Sequence, residues 1–491
     1  MQLQLPLPEL AQLTGTAPPT PSHRIFCNRS LRLDQIEWIG FDMDYTLAIY
    51  HQQEMDRLSI EATISKLLDR GYPEALRFMP YRTNFPIRGL LVDRELGNVL
   101  KMDRYKYVKR AYHGMRELTR EERRRIYDTH RLEPASDRFH WVDTLYALPE
   151  VTLFAAAVDH LEQVAGTCDY DALFSDVREC IDRSHQDGSI LDRILADLPR
   201  YVSRDPHLGE TLHQLRSAGK KLFVLTNSRA AYTDRMMRYL LDDAHPQYKS
   251  WRGYFDLVIT AARKPSFFTD EAPFQEVRED GALVATTKLE RGPIYAGGHL
   301  ALLQQALQTT PDRVLYVGDH IFGDVLRAKK QTAWRTMMIV QEMESELEAH
   351  AALRHSLARL DALEELRFRL IDELRFLQRD YKALQKRRDA GATLSPAEEA
   401  ERVRRRRAID RLKARIRVTE REHDHLELGV DHRFHPYWGS LFKAGPETSS
   451  FGHQVEVYAG LYTARVSNLL WYSPMHYFQS PRDRMPHELH P

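Results

Sequence analysis

Ile36–Phe41 (IEWIGF) runs directly into Asp42-Met43-Asp44-Tyr45-Thr46-Leu47, and this junction decides the fold. The first six residues are apolar, short and rich in β-formers, so they predict a buried strand. A polar D-x-D step then ends it. The same sentence is written again further on. Leu222–Leu225 (LFVL) ends at Thr226-Asn227-Ser228, and Phe255–Thr260 (FDLVIT) ends near Arg263-Lys264-Pro265. Val314–Val317 (VLYV) ends at Gly318-Asp319, and Thr336–Val340 closes the series. Helical patterns lie between these runs. Leu208–Ala218 stops at Gly219, which suits a helix C-terminus, and His299–Leu307 precedes the fourth run. Strands alternating with helices predict an α/β fold, a doubly wound, Rossmann-like parallel sheet.

Composition sets the outer limits. The chain has 491 residues, 43% of them hydrophobic, enough to bury a sizeable core. Seventy basic residues balance seventy acidic ones, which argues against a chain that is basic throughout to bind nucleic acid. The three cysteines, Cys27, Cys168 and Cys180, are scattered and show no CxxC spacing, so a disulfide framework and a structural zinc site are not expected. Val151–Val158 (VTLFAAAV) is far short of the ~20 apolar residues that a spanning helix needs. The N-terminus lacks the basic start of a secretory signal, and the expected location is the cytoplasm.

The remaining segments fall around the core. Residues 1–35, rich in Pro, Thr and Ser, are expected to form an N-terminal arm. The core is expected at 36–60 and 200–348, with 61–199 inserted as an α+β cap. In 349–430, leucines from Leu353 to Leu384 recur at spacings of mostly three and four, predicting a long amphipathic helix that breaks at Gly391. Ser395-Pro396-Ala397-Glu398 then supplies an N-cap, a proline at N1 and a capping-box glutamate, so a second helix completes a hairpin. Residues 431–491, rich in aromatics and proline, are expected to pack back on the core.

Functional groups of a parallel sheet gather outside the carboxyl ends of its strands. Asp42, Asp44, Thr226, Lys264, Asp319 and Asp324 all follow predicted strands. Four carboxylates in one place repel one another, and oxygen-only ligands suit Mg²⁺. One carboxylate can attack phosphorus, and a second, two residues on, can protonate the leaving oxygen and later deprotonate water. Thr226 can donate to a transferring phosphoryl group and Lys264 can neutralise it. A lone D-x-D, a lone Thr-Asn-Ser cap or a lone lysine before proline is commonplace; four such signals in order, each after an apolar run, are not.

DMDYTL, LTNS, ARKP and GDHIFGD resemble the four motifs of the haloacid dehalogenase superfamily of phosphohydrolases. More narrowly, GYPEAL, NFPIRGLLVD, GNVLKMD, DTLYALPE, TNSRAAYTDRMM and GPIYAGG are similar to segments of the cytosolic purine 5′-nucleotidase family. The likeness is spread over roughly residues 35–345 and is weaker in the tail, at GSLFKAG and HQVEVYAGLY. The resemblance implies a 5′-nucleotidase acting on 6-oxopurine nucleotides such as IMP and GMP. Asp42 is then the nucleophile and Asp44 the general acid/base. The Asp42 side chain, the Asp44 backbone carbonyl and Asp319 hold Mg²⁺, with Asp324 nearby. Thr226 and Lys264 bind the phosphoryl group with Asn227 beside them. The resemblance also implies a homo-oligomer, a tetramer.

Arg178 and Asp182 lie four apart, so they share a helix face, and the plain expectation is an i,i+4 ion pair. The alternative is that Arg178 donates to O6 and N7 of a 6-oxopurine while Asp182 accepts from its N1–H. The resemblance favours the second, and His185 matches the same pattern. Tyr146-Ala147 stands where the family has Phe-Asn; Tyr146 can still stack on a base, without the amide. Gln186 replaces an expected aromatic, and Leu191 an expected basic residue. Phe322 matches an aromatic of the family's adenine-nucleotide effector pocket. Glu133 and Val457 replace arginines there, so activation by adenine nucleotides is expected to be weak or absent. The Arg-rich run Arg402–Arg407 has acidic neighbours at Glu398, Glu399, Glu401 and Asp410, and it is expected to be a charged helix face without nucleic-acid binding. A broader phosphomonoesterase, a nucleoside phosphotransferase and a non-catalytic interaction protein built on the hairpin stand as alternatives.

Overall fold

A computed structural model describes residues 19–128, 132–321, 324, 332–483, 485 and 488. One large sheet holds ten strands. In chain order they are β1 (Phe26–Cys27), β2 (Trp38–Phe41), β3 (Lys221–Leu225), β4 (Leu257–Thr260), β5 (Phe274–Val277), β6 (Leu283–Thr286), β7 (Ile294–Gly297), β8 (Val314–Gly318), β9 (Arg335–Ile339) and β10 (Leu461–Thr463). Their order across the sheet is β1-β10-β9-β8-β2-β3-β4-β7-β5-β6. The seven strands from β10 to β7 are mutually parallel, and β1, β5 and β6 add antiparallel edges. The doubly wound α/β expectation holds. β2 is central, with all four residues buried, as its apolar run requires.

The interior beside these strands is aromatic. Phe223 sits among Trp38, Tyr316 and Trp334, with ring centroids 6.0–6.4 Å apart. Gly40 makes room for it: a Cβ there would lie 2.1 Å from the Phe223 ring. Gly219, at φ +83°, closes the helix Leu208–Ser217 as its position suggested.

Between β2 and β3 the chain builds the inserted layer. Helices Gln52–Asp69, Leu148–Ala165 and Tyr170–Gln186 pack together, beside a five-stranded antiparallel sheet made of 90–93, 98–102, 108–113, 116–117 and 139–142. The first of these helices runs straight through residues 60 and 61. The N-terminal segment departs from the sequence reading, and its partner is the tail. Phe26–Cys27 do not stand off as an arm: they pair with Tyr462 and Leu461 at the sheet edge, and Leu31–Arg32 pair with Phe478 and Tyr477. Such two-residue strands carry no periodic signal. Residues 1–18 lie outside the described residues.

Residues 345–440 form a separate compact unit. Its long helices are Arg354–Asp389 and Pro396–Phe434, joined through Gly391 at φ +82°. Ser395 accepts from Glu398 N, and the Glu398 side chain accepts from Ser395 N, completing the capping box. Leu370, Leu412 and Ile416 form the seam with Leu366, Leu374 and Leu377 beside them. Arg402, Arg404 and Arg405 pair with Glu399, Glu401 and Asp380. Among the described residues, no helix is long and apolar enough to cross a membrane.

Candidate active site

The carboxyl ends of β8, β2, β3 and β4, four adjacent strands, carry Asp319, Asp42, Thr226 and Lys264. Asp42 N donates to Val317 O at 2.9 Å, so the register of β2 against β8 sets the first residue of the site. Together with Asp44, Asn227 and Tyr146, these groups line one small cavity, of about 110 Å³.

Lys264 Nζ lies 2.9 Å from Asp42 Oδ1 and 2.6 Å from Asp324 Oδ1, and donates to the Tyr316 hydroxyl at 2.9 Å. Met43 N also donates to Asp42 Oδ1, at 2.8 Å. Both donors therefore meet the same carboxylate oxygen. Asn227 clasps the Lys264 backbone: its Nδ2 donates to Lys264 O at 2.9 Å and its Oδ1 accepts from Lys264 N at 2.6 Å. Its side chain thus holds the lysine loop. Thr226 Oγ1 accepts from Ser228 N at 3.1 Å.

Asp44 is bound on both oxygens, by the Tyr50 hydroxyl at 2.5 Å and the Ser228 hydroxyl at 2.6 Å. Tyr45, between the site and its second neighbour Thr46, adopts φ +55°, a left-handed conformation that a bulky side chain rarely takes. Arg88, fully buried, reaches across from the inserted segment. It donates to Asp319 O at 2.9 Å, lies 4.0 Å from the Asp319 carboxylate, and is held at its other face by Glu342.

Burial pushes the carboxyls of Asp42, Asp44 and Asp319 above the ordinary range, against Lys264 at Asp42, Ser228 and Tyr50 at Asp44, and Arg88 at Asp319. At Asp42 and Asp319 the neighbouring carboxyls add to the push of burial. Four carboxyls face Lys264 and Arg88, and Glu342 already shares the arginine. Asp42, Asp319 and Asp324 each offer an oxygen within 4.8 Å of the others. An all-oxygen, electron-rich donor set of this kind fits a hard divalent cation.

The base-reading residues are placed differently. Tyr146 reaches the cavity and meets His185 edge-on at a centroid distance of 5.7 Å. His185 Nδ1 bonds Ile181 O at 2.9 Å, and its buried Nε2 has no hydrogen-bond partner among the described residues. Arg178 does not pair with Asp182. Its Nη1 lies 2.9 Å from His140 Nδ1 and its Nε 3.8 Å from Glu150 Oε2, while Asp182 is exposed. The expected ion pair is thus replaced by a contact with a buried carboxylate, where the lower dielectric strengthens the attraction. Burial raises Glu150 to about 7, against the pull of Arg178, and lowers His140 to about 4. Phe322 lies outside the described residues. Sequence reasoning missed Tyr50, Ser228, Arg88, Tyr316, His140 and Glu150. Ser228, Tyr316, Arg88 and Glu150 stood inside quoted segments without being assigned a role; Tyr50 and His140 stood outside them.

The sequence model of the 5′ nucleotidase family matches residues 25–490. The chain is 30% identical over 482 residues to a 5′-nucleotidase domain-containing protein of Dictyostelium discoideum, covering 94% of this chain and 74% of that one. It is 31% identical over 354 residues to 5′-nucleotidase domain-containing protein 2 of Homo sapiens, covering 69% and 66%. Among solved structures it is similar to a predicted phosphoglycolate phosphatase from Haemophilus somnus 129pt, at 13% identity and a TM-score of 0.27 over 62% of this chain and 86% of that one; so loose a likeness adds no weight. With the family pattern running through nearly the whole described chain, this protein belongs to the 5′ nucleotidase family, phosphoric monoester hydrolases.

Proposed function

We propose that this chain is a divalent-cation-dependent 5′-nucleotidase that hydrolyses 6-oxopurine nucleoside 5′-monophosphates through a phosphorylated Asp42. The observation that carries the reading is the convergence of Asp42, Thr226, Lys264, Asp319 and Asp324 on one cavity at four adjacent strand ends.

Asp42, Asp319 and Asp324 are the residues that would hold the cation, Mg²⁺ in this reading, with the Asp44 backbone carbonyl. Bound there, the cation would neutralise the phosphate and keep the carboxylates ionised. Lys264 fixes Asp42 Oδ1, and Oδ2 attacks phosphorus. As the P–O5′ bond breaks, the Asp44 carboxyl gives its proton to the leaving oxygen. Water then attacks the aspartyl-phosphate, Asp44 takes a proton from it, and phosphate leaves with Asp42 restored. Thr226 donates to the phosphoryl oxygens, and Asn227 keeps Lys264 in place.

Tyr146 would stack on the base and Arg178 would donate to its O6 and N7, with Asp182 and His185 beside them. A broader phosphomonoesterase is the second reading, and one observation favours it: Arg178 is engaged by His140 and Glu150 rather than aligned with Asp182. Phosphate release over a panel of nucleoside monophosphates, with and without Mg²⁺, separates the two. A preference for IMP and GMP supports the first; equal rates on IMP, AMP, CMP and a simple alkyl phosphate support the second. The hairpin unit leaves Phe368 and Phe376 exposed, in keeping with the proposed homo-oligomer, a tetramer. Sedimentation showing only monomer at micromolar concentration would contradict that assembly.

A further inference from the structure

Two tyrosine hydroxyls and a serine hydroxyl stand at Asp44, two of them bonded to it directly. Tyr50 donates to Oδ1 at 2.5 Å, Ser228 donates to Oδ2 at 2.6 Å, and the Tyr50 and Tyr232 hydroxyls meet at 2.9 Å. Tyr50 ends a short strand, Ile49–Tyr50, that pairs with Val202–Ser203, where the inserted segment leaves and rejoins the core. Tyr232 stands in the first turn of the helix Ala230–Leu241. The Tyr50 ring packs at 4.9 Å against Tyr45, which follows Asp44 in the chain. Both Tyr50 and Tyr232 are buried.

An aspartate free to change rotamer spreads its carboxyl over several positions. Delivering a proton to one oxygen of a bound ester needs a single position. Short, charge-assisted bonds on different oxygens remove that freedom. Each carboxylate oxygen keeps a second lone pair, so Asp44 can still exchange a proton with substrate or water.

We propose that Tyr50, backed by Tyr232, is a positioning residue that fixes the Asp44 carboxyl against the leaving oxygen. This rests on the reading of Asp44 as the acid/base. Tyr50 gives up no proton. The proton that reaches the leaving oxygen comes from Asp44, and water returns one at hydrolysis.

A residue acting through Asp44 has an effect that depends on the leaving group. A nucleoside leaves as an alkoxide unless protonated; p-nitrophenol leaves readily as its anion. Tyr50→Phe removes one oxygen and keeps the ring on Tyr45. Its kcat/KM, which reports the transfer step, should fall roughly tenfold on a nucleoside monophosphate and less than about twofold on p-nitrophenyl phosphate. Tyr232→Phe should show the same pattern more weakly, and it serves if Tyr50→Phe fails to fold. Equal losses on both substrates, or no loss on either, overturn the proposal. Asp44→Asn, measured alongside, tells the two ideas apart. If it discriminates between leaving groups and Tyr50→Phe does not, the positioning role fails alone. If Asp44→Asn loses both activities equally, the acid/base reading fails and the proposal falls with it.

Discussion

At the strand ends of the core, each charged group is met by another part of the chain. Lys264 is shared by Asp42, Asp324 and Tyr316, Asp44 is bound by Tyr50 and Ser228, and Arg88 spans Asp319 and Glu342. On the inserted layer the pattern is looser. Asp182 is exposed, and among the described residues the buried His185 Nε2 and Glu150 Oε1 have no hydrogen-bond partner. The contrast follows from cost. Ionised groups can be buried only in mutual balance, so the phosphoryl end must be assembled in full by the fold. Neutral or half-exposed groups tolerate spare bonding capacity, and specificity can be written there without endangering stability.

The largest effect should come from the phosphoryl end. A chelator should abolish phosphate release, and Mg²⁺ should restore it. Mg²⁺ should also raise the melting temperature of the wild type, because a ligand bound only to the folded state stabilises it. Asp319→Asn should lose most of that thermal shift; an unchanged shift would place the cation elsewhere. A subtler break is Gly318→Ala. Its Cβ would lie 2.5 Å from Asp324 Oδ2, and Asp324 cannot retreat while Lys264 binds it. Activity should drop about tenfold to a hundredfold on every substrate, as misplacement of reacting groups by an ångström costs. A variant as active as the wild type would show that the Asp324 position is not demanding.

The inserted layer should respond selectively. Arg178→Ala should cut kcat/KM for IMP by about ten- to a hundredfold, the cost of one or two unpaired polar groups, and spare p-nitrophenyl phosphate. Equal losses on both substrates would make Arg178 structural. The smallest effect is on stability. Glu150, raised to about 7 in the fold from an ordinary value near 4.5, binds a proton more tightly folded than unfolded. Its contribution is present below pH ~4.5 and is lost as pH rises towards 7. Glu150→Gln should flatten that decline, seen as a smaller fall in melting temperature from pH 5 to 8. An unchanged slope would mean that Glu150 is ionised throughout.

The two regions also differ in how much of them could be read from sequence. At the core, an apolar run followed by Asp, Thr, Lys or Asp joins strand and chemistry in one local pattern, so β2, β3, β4 and β8 and the residues after them were legible. The capping box at Ser395 was legible for the same reason. The short strands β1 and β10 were not, because they are two and three residues long and pair with strands more than a hundred positions away. Arg88 and Tyr50 were hidden likewise: their partners, Asp319 and Asp44, are specified by tertiary packing rather than spacing. Arg178 and Asp182 show the limit of helical spacing. Four residues apart guarantees a shared face, yet Glu150, from the neighbouring helix, takes the guanidinium.

The central claim is that Asp42 is the group that attacks phosphorus. Single-turnover phosphate release by Asp42→Asn, with Mg²⁺ and IMP or p-nitrophenyl phosphate, tests it most directly, because an amide cannot take the carboxylate's place. Folding is checked by an unchanged circular dichroism spectrum. The account predicts a fall of at least about a thousandfold on both substrates, whatever the base or leaving group. Release near the wild-type rate from the folded variant would contradict it.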